Sequence, residues 1–262
     1  VDVILVPNDF PTIGAAIDAI ANPTTIVIAP GNYAESLHII DKPYVVLQSA
    51  RLSRRGVTIS GSDGNAVLSA ERSTIHLSGI EIRSNGQRCG IALVGGSISL
   101  QECVIAGNRS TTPGGAMNCR DAKVRIQKSM LAGNTVESDS ASLTGGGALY
   151  LQNCDAEIAG ASIQANAVYA LKAARGGGIW AEGGRMRMWR SRVTDNALHA
   201  PSTHGGGIYF AQCERAQLGG SVITGNNGGG VAIDGAPDRV VIHTNTVVRQ
   251  NHPDDRLASP IC

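Results

Sequence analysis

No part of this chain is apolar for long enough to cross a bilayer as a helix, which needs roughly 18 or more consecutive apolar residues. The Val1-Asp2-Val3 start has neither the charged nor the apolar segment of a secretion signal, and it lacks Met, as a processed mature chain would. Neither sign of charge dominates: 22 Lys and Arg stand against 21 Asp and Glu. No global field therefore recruits nucleic acid or an anionic membrane. Aromatic residues make up only 3% of the chain, so any core is aliphatic. The six cysteines (Cys89, Cys103, Cys119, Cys154, Cys213 and Cys262) include no C-x-x-C pair and no His at zinc-finger spacing, which speaks against a structural zinc site. Disulfides are permitted by the even count, but at strand positions these thiols read as small buried hydrophobes.

What the chain does have is glycine, 33 of 262 residues, and short β-branched runs parted by Gly, Asn, Ser and Thr. Within these runs an apolar residue precedes an asparagine by three places, six times over: Ile82/Asn85, Ile105/Asn108, Leu131/Asn134, Ile163/Asn166, Val193/Asn196 and Ile223/Asn226. Eight places before the asparagines lie Leu77, Leu100, Ile126, Ile158, Met188 and Leu218, and ten before lie Ile75, Ile98, Val124, Ala156, Met186 and Ala216. Apolar positions two apart indicate strands. A second strand, led by glycine, follows each asparagine after a connector of variable length: Gly90-Ile91, Gly115-Ala116, Gly147-Ala148, Gly178-Ile179, Gly207-Ile208 and Gly230-Val231. Units that cannot bury their own face must stack, and periods of 20 to 50 residues mark solenoids. One asparagine per coil at one turn predicts a hydrogen-bonded amide ladder.

The pattern resembles the parallel β-helix family, which includes pectate lyases, pectin methylesterases, polygalacturonases and Gly-Gly-rich bacterial surface proteins. The resemblance implies an all-β fold, a single right-handed parallel β-helix over residues 1–262 with regular ladder coils from 75 to 251. An amphipathic segment over 10–20, which Asp9 or Thr12 can cap, predicts the helix that plugs the open end of such folds. Pro30-Gly31-Asn32-Tyr33-Ala34-Glu35 resembles the turn that follows it. The polar tail Asn251-His252-Pro253-Asp254-Asp255 is expected to blunt the other end.

The catalytic motifs of those enzymes do not carry over. The chain has no Gly-x-Val-Asp-Phe-like run and no Asp pair after a ladder asparagine. Only His204-Gly205-Gly206 is similar to a polygalacturonase Gly-His-Gly turn. Glu137 and Asp139 share one connector without further carboxylates, fewer oxygens than calcium takes.

Chemistry is instead sought where three long connectors, 135–145, 167–176 and 197–205, project from consecutive coils. They hold Glu137, Asp139, Tyr169, Lys172, Arg175, His199 and His204, a mixture suited to general acid and base work. In this reading His204 moves the proton, Lys172 and Arg175 hold or neutralise a substrate carboxylate, and Glu137 or Asp195 is the partner acid. Asp195, which precedes its ladder asparagine where other coils have small residues, is either a turn former, the reading its position favours, or a catalytic acid. Trp180 and Tyr209, with Leu149 and Met117, are expected to make an outward stripe that binds sugar rings together with Tyr169 and His199. Outward charges should alternate between coils: Lys123 and Arg125, Asp155 and Glu157, Arg185 and Arg187. Cross-strand pairs of this kind are structural. The functions implied are a polysaccharide lyase or glycosidase, a non-catalytic surface or binding β-helix, or a small-molecule isomerase or cyclase on the same scaffold. A polysaccharide or oligosaccharide partner fits the first two, and a secreted, periplasmic or cell-surface location goes with them.

Overall fold

A computed structural model describes residues 2–50, 56–61, 66–84, 86, 88–139 and 142–258. Asn85 and Cys262 lie outside these residues. The chain winds as one parallel β-helix. Among the described residues, three long sheets of ten, nine and nine strands run its length, and all their strand pairs are parallel. One coil shows the pattern. Leu149–Gln152 lies in the second sheet, Asp155–Ala159 in the first and Ser162–Gln164 in the third, and the connector then returns the chain to the second sheet at Ile179–Glu182.

The apolar rows read from sequence are the inward rows. Leu77, Leu100, Ile126, Ile158, Met188 and Leu218 pair coil to coil, as do the residues three before the asparagines, and all are buried. Each strand thus hides one face on its own interior and its edges on the coils above and below, about 4.8 Å away. Coils begin before Ile75, with strands Asp2–Val6, Thr24–Ile28 and Val45–Ser49 in the first sheet.

At the N-terminal end, helix α1 (Ile13–Asp18) packs Ile13, Ala16 and Ile17 into the core and covers the open coil. Thr12 caps it, its hydroxyl accepting from the Ala15 N–H at 3.1 Å. The Glu35 carboxylate accepts from the N–H groups of Ile13 and Gly14 at 3.1 and 2.8 Å, which ties the following turn to the helix start. At the other end the tail does more than blunt the edge. Asn251 is a further ladder rung, and Arg256–Ala258 adds a strand to the second sheet.

The ladder forms as read. Asn134, Asn166 and Asn196 are fully buried. From Asn108 to Asn226 each side-chain amide donates to the Oδ1 of the asparagine in the next coil, at 2.8–2.9 Å. The residue before each asparagine is left-handed, with φ between 53 and 69° at Gly107, Gly133, Ala165, Asp195 and Gly225. Asp195 therefore stands at an exposed turn position that glycine fills in three other coils, and Asp tolerates it better than most residues. A second ladder, unseen in the sequence, occupies the turn between the first and third sheets. There the buried Ser129, Ser191 and Ser221 hydroxyls accept from the N–H groups of Cys103, Ala161 and Ser191.

Two expectations change. The second strand starts one residue late at two coils: Ala116 and Ala148, not Gly115 and Gly147, align with Gly178 and Gly207. And the long connectors are strands rather than loops. Arg109–Ser110, Thr135–Ser138, Ala167–Ala170 and Ala197–His199 make one small sheet, while Thr144–Gly145, Ala173–Arg175 and Ser202–His204 make another. Val136, Val168, Ala174 and Leu198 form a minor core between them.

Candidate functional site

The second small sheet folds back over the outer face of the second long sheet. Trp180 and Tyr209 do point away from the main core, but the arch covers them: they are 6% and 3% exposed and cluster with Tyr150. Their rings meet edge-on, at 4.9 Å for Tyr150–Trp180 and 6.2 Å for Trp180–Tyr209. Gly145 leaves Trp180 its room, since a Cβ there would lie 2.8 Å from the indole. The stripe is therefore no sugar platform. Leu149 and Met117 are not part of it either. They pair with Ile179 in register and lie in the main core, and Tyr150 takes the place assigned to Leu149.

Within the arch, Arg175 and His204 sit side by side in strand register. Arg175 is 7% exposed; it donates to the Ala174 carbonyl at 3.1 Å and stands 5.6 Å from the Tyr209 ring centre. Burial, and then the Arg175 charge, push the His204 pKa down. The Tyr209 hydroxyl donates to Asp234 at 3.2 Å and the Tyr150 hydroxyl to Glu182 at 2.9 Å; burial and then these carboxylates raise both phenols. His204 also lines a cavity of about 30 Å³ with Asp254, room for little more than a water molecule.

The other expected site residues stand apart from this pair. Lys172 is exposed at the far end of the strand from Arg175. Glu137 pairs with Arg109 and neighbours Tyr169 on the other small sheet. Tyr169 and His199 stack there, with centroids 4.4 Å apart and planes 7° apart, facing solvent. Asp139 follows the same strand beyond Ser138, and Asp195 holds its turn. Among the described residues, no three His, Cys, Asp or Glu side chains gather as metal ligands.

The larger concavities lie elsewhere, on the outer face of the first sheet. Two hollows of about 550 and 650 Å³ adjoin there and share Gln101 and Gln127. The first contains Tyr44, His76 and part of the charge rows, with Lys123 beside Asp155 and Arg125 beside Glu157; Arg185 and Arg187 continue the rows in the next coil, outside the hollow, as the sequence alternation predicts. Arg125 and Glu157 are 2.9 Å apart. Burial lowers the His76 pKa. The second hollow contains Lys128, Arg190, Asn245 and Trp189. A Cβ at Gly219, the next coil's equivalent of Trp189, would fall 1.7 Å from the indole, so the ring occupies the space that any side chain at Gly219 would need. Sequence reading passed over Trp189. The signal that could have found it is the large residue opposite glycine at one register position.

The five described cysteines are buried and unpaired. Burial raises their thiols, Cys103 and Cys154 to about 11 and Cys89 and Cys213 to about 12. They act as small hydrophobes, not nucleophiles.

Comparison with known proteins agrees with the coil geometry. The model of the right-handed beta helix region matches residues 45–247. No curated protein sequence matches the chain. Among solved structures, pectate lyase Pel9A is similar, with a TM-score of 0.56 and 12% identity over 93% of this chain and 73% of that one. A pectin methylesterase from Aspergillus niger gives a TM-score of 0.46 and 12% identity over 99% of this chain and 85% of its own. Likeness at such identity concerns fold alone. With the family match spanning most of the stacked, ladder-bearing coils, the chain belongs to the right-handed β-helix family.

Proposed function

We propose that this β-helix binds carbohydrate, holding an extended polysaccharide along the outer face of the first sheet. The observation that carries the reading is the pair of adjoining hollows that crosses successive coils and presents charged, amide and aromatic side chains to one side. Extended grooves along a solenoid suit linear ligands, which span more coils than a compact one. The fold is shared with pectate lyase Pel9A, whose name gives a polysaccharide substrate, and that analogy supports the same ligand class. A secreted, periplasmic or cell-surface setting fits such a ligand.

A catalytic version has its own supporting observation. His76, whose pKa burial lowers in favour of the neutral ring, shares the first hollow with Arg125 and Glu157. A neutral base and a cation are what proton abstraction beside a sugar carboxylate requires. We read Arg175, Trp180 and Tyr209 as groups that hold the arch together, because their burial leaves a polymer no access, and the half-buried His204 beside Arg175 opens only on a cavity too small for a sugar.

The test is calorimetric titration of the protein with uronic-acid and neutral hexasaccharides, with parallel assays for unsaturated product and new reducing ends. Saccharide binding is expected, and Arg125→Ala should weaken it. No binding across the panel would end the proposal. Unsaturated product that disappears in His76→Ala would add the lyase step.

A further inference from the structure

We infer that Trp189 is the stacking anchor of the groove, the position at which one pyranose ring of the bound chain rests on an aromatic face. The inference rests on the carbohydrate-binding reading and names the specificity-determining residue of that same surface.

Three observations place it there. Trp189 is the one tryptophan of the chain's two that reaches a surface hollow, since Trp180 is sealed beneath the arch. Its indole lies over Gly219, whose missing side chain leaves the space the ring fills. The six-membered ring is therefore wedged against the next coil, and the half-exposed indole borders the hollow. Packing against Gly219, with the His243 ring centre at 5.1 Å, also fixes the indole, so little freedom is lost on binding. Around it the hollow is lined by neutral amides, Gln101, Gln127 and Asn245, and by the cations Lys128 and Arg190. An apolar face bordered by amide donors and acceptors matches a sugar ring, which has an apolar face of C–H groups and a rim of hydroxyls.

The two hollows then divide the work. The one at the charge rows presents the Arg125–Glu157 ion pair, Lys123, Asp155 and His76, with Tyr44 at its edge, and it contacts the chain by polar groups. The one at Trp189 fixes the register of the sugars along the coils. Gly219 is a positioning residue, because any side chain there must push the indole off the sheet.

The test reads Trp189 directly in the wild-type protein. N-bromosuccinimide oxidises exposed indoles, and peptide mass spectrometry separates Trp189 from Trp180. With the tightest-binding hexasaccharide of the panel present at saturation, Trp189 oxidation should slow at least fivefold while Trp180 stays unreactive throughout. Trp189→Ala should weaken binding at least tenfold and Trp189→Phe by less, both with an unchanged far-ultraviolet circular dichroism spectrum. Gly219→Val should weaken binding although the indole is retained. Wild-type binding with unprotected Trp189, or binding by Trp189→Ala within twofold of wild type, overturns the inference and leaves the groove proposal standing. Absence of binding to every hexasaccharide removes both.

Discussion

Replacing Asn166 by alanine removes more than one hydrogen bond. Its Oδ1 accepts from both the backbone and side-chain N–H groups of Asn134, and its own amide donates to Leu131 O and Asn196 Oδ1. All these partners are buried, and a stranded buried donor or acceptor costs about 1–3 kcal/mol. Urea titration of Asn166→Ala should show a loss of at least that size, whereas Glu157→Gln, at an exposed ion pair, should change stability by less than about 1 kcal/mol. The contrast explains what was legible at this scale. Six asparagines in one register position are visible in a bare sequence because the carboxamide keeps its donor and acceptor on separate atoms, which lets one side chain bond the coils on both sides, and no small apolar residue can stand in for it. The serine ladder escaped because Cys103 and Ala161 stand in its row. These residues fit the same small space without the hydroxyl, so the row has no constant letter to notice.

The connectors were harder to read for a different reason. Thr135–Ser138, Ala167–Ala170 and Ala197–His199 each turn only one sizeable apolar side chain inward: Val136, Val168 and Leu198. Alternation needs several residues to show itself, and here the repeat runs across coils, not along the strand. Reading them as loops left Trp180 and Tyr209 outside, when the arch in fact closes over them. Its seal is open to test. A Cβ at Gly145 would meet Arg175 O and the Trp180 ring, so Gly145→Val should cost about 1–3 kcal/mol, the usual range for overpacking. Thermal unfolding and loss of near-ultraviolet tryptophan ellipticity would measure it; an unchanged signal would mean that the arch does not grip Trp180. The last coil carries a second expectation at this scale. Asp255 accepts from the Asn251 backbone and side-chain N–H groups at 2.9 and 3.0 Å, and those two bonds hold its carboxyl below the ordinary carboxylate value. A pKa depressed in the folded state contributes stability above the unfolded value near about 4, and that stability is lost as pH falls through the folded value. Protection factors of the amides in Val247–Arg249 and Arg256–Ala258, with the pH dependence of intrinsic exchange divided out, should therefore fall on acidification below about pH 4. In Asp255→Asn, which keeps an acceptor but cannot titrate, that fall should vanish.

For the whole molecule, the outline was readable early, because stacking forces every coil to repeat the same inward rows. The ligand-facing side was not, since outward positions are free to vary and only their neighbours in adjacent coils give them meaning. Trp189 means little until Gly219 is known to lie beside it. If the groove holds saccharide, ligand at a hundred times its dissociation constant should raise stability by about 2.7 kcal/mol through mass action, seen as a higher melting temperature. Absence of any shift at saturation would contradict a specific site. The asparagine ladder has one more property. From Asn108 to Asn251 each described rung gives one amide N–H to the side-chain oxygen of the next rung, or of Asp255 at the end, and also donates back to a backbone carbonyl of the preceding coil, so the rung-to-rung bonds all run the same way along the axis and polarise one another. The positive end of this column meets the Asp255 carboxylate, an arrangement like that of an acidic side chain at the start of an α-helix. The solenoid is in this sense electrically directional: a coil duplicated or deleted in register leaves the polarity intact, while one rung turned around would set two donors or two acceptors face to face.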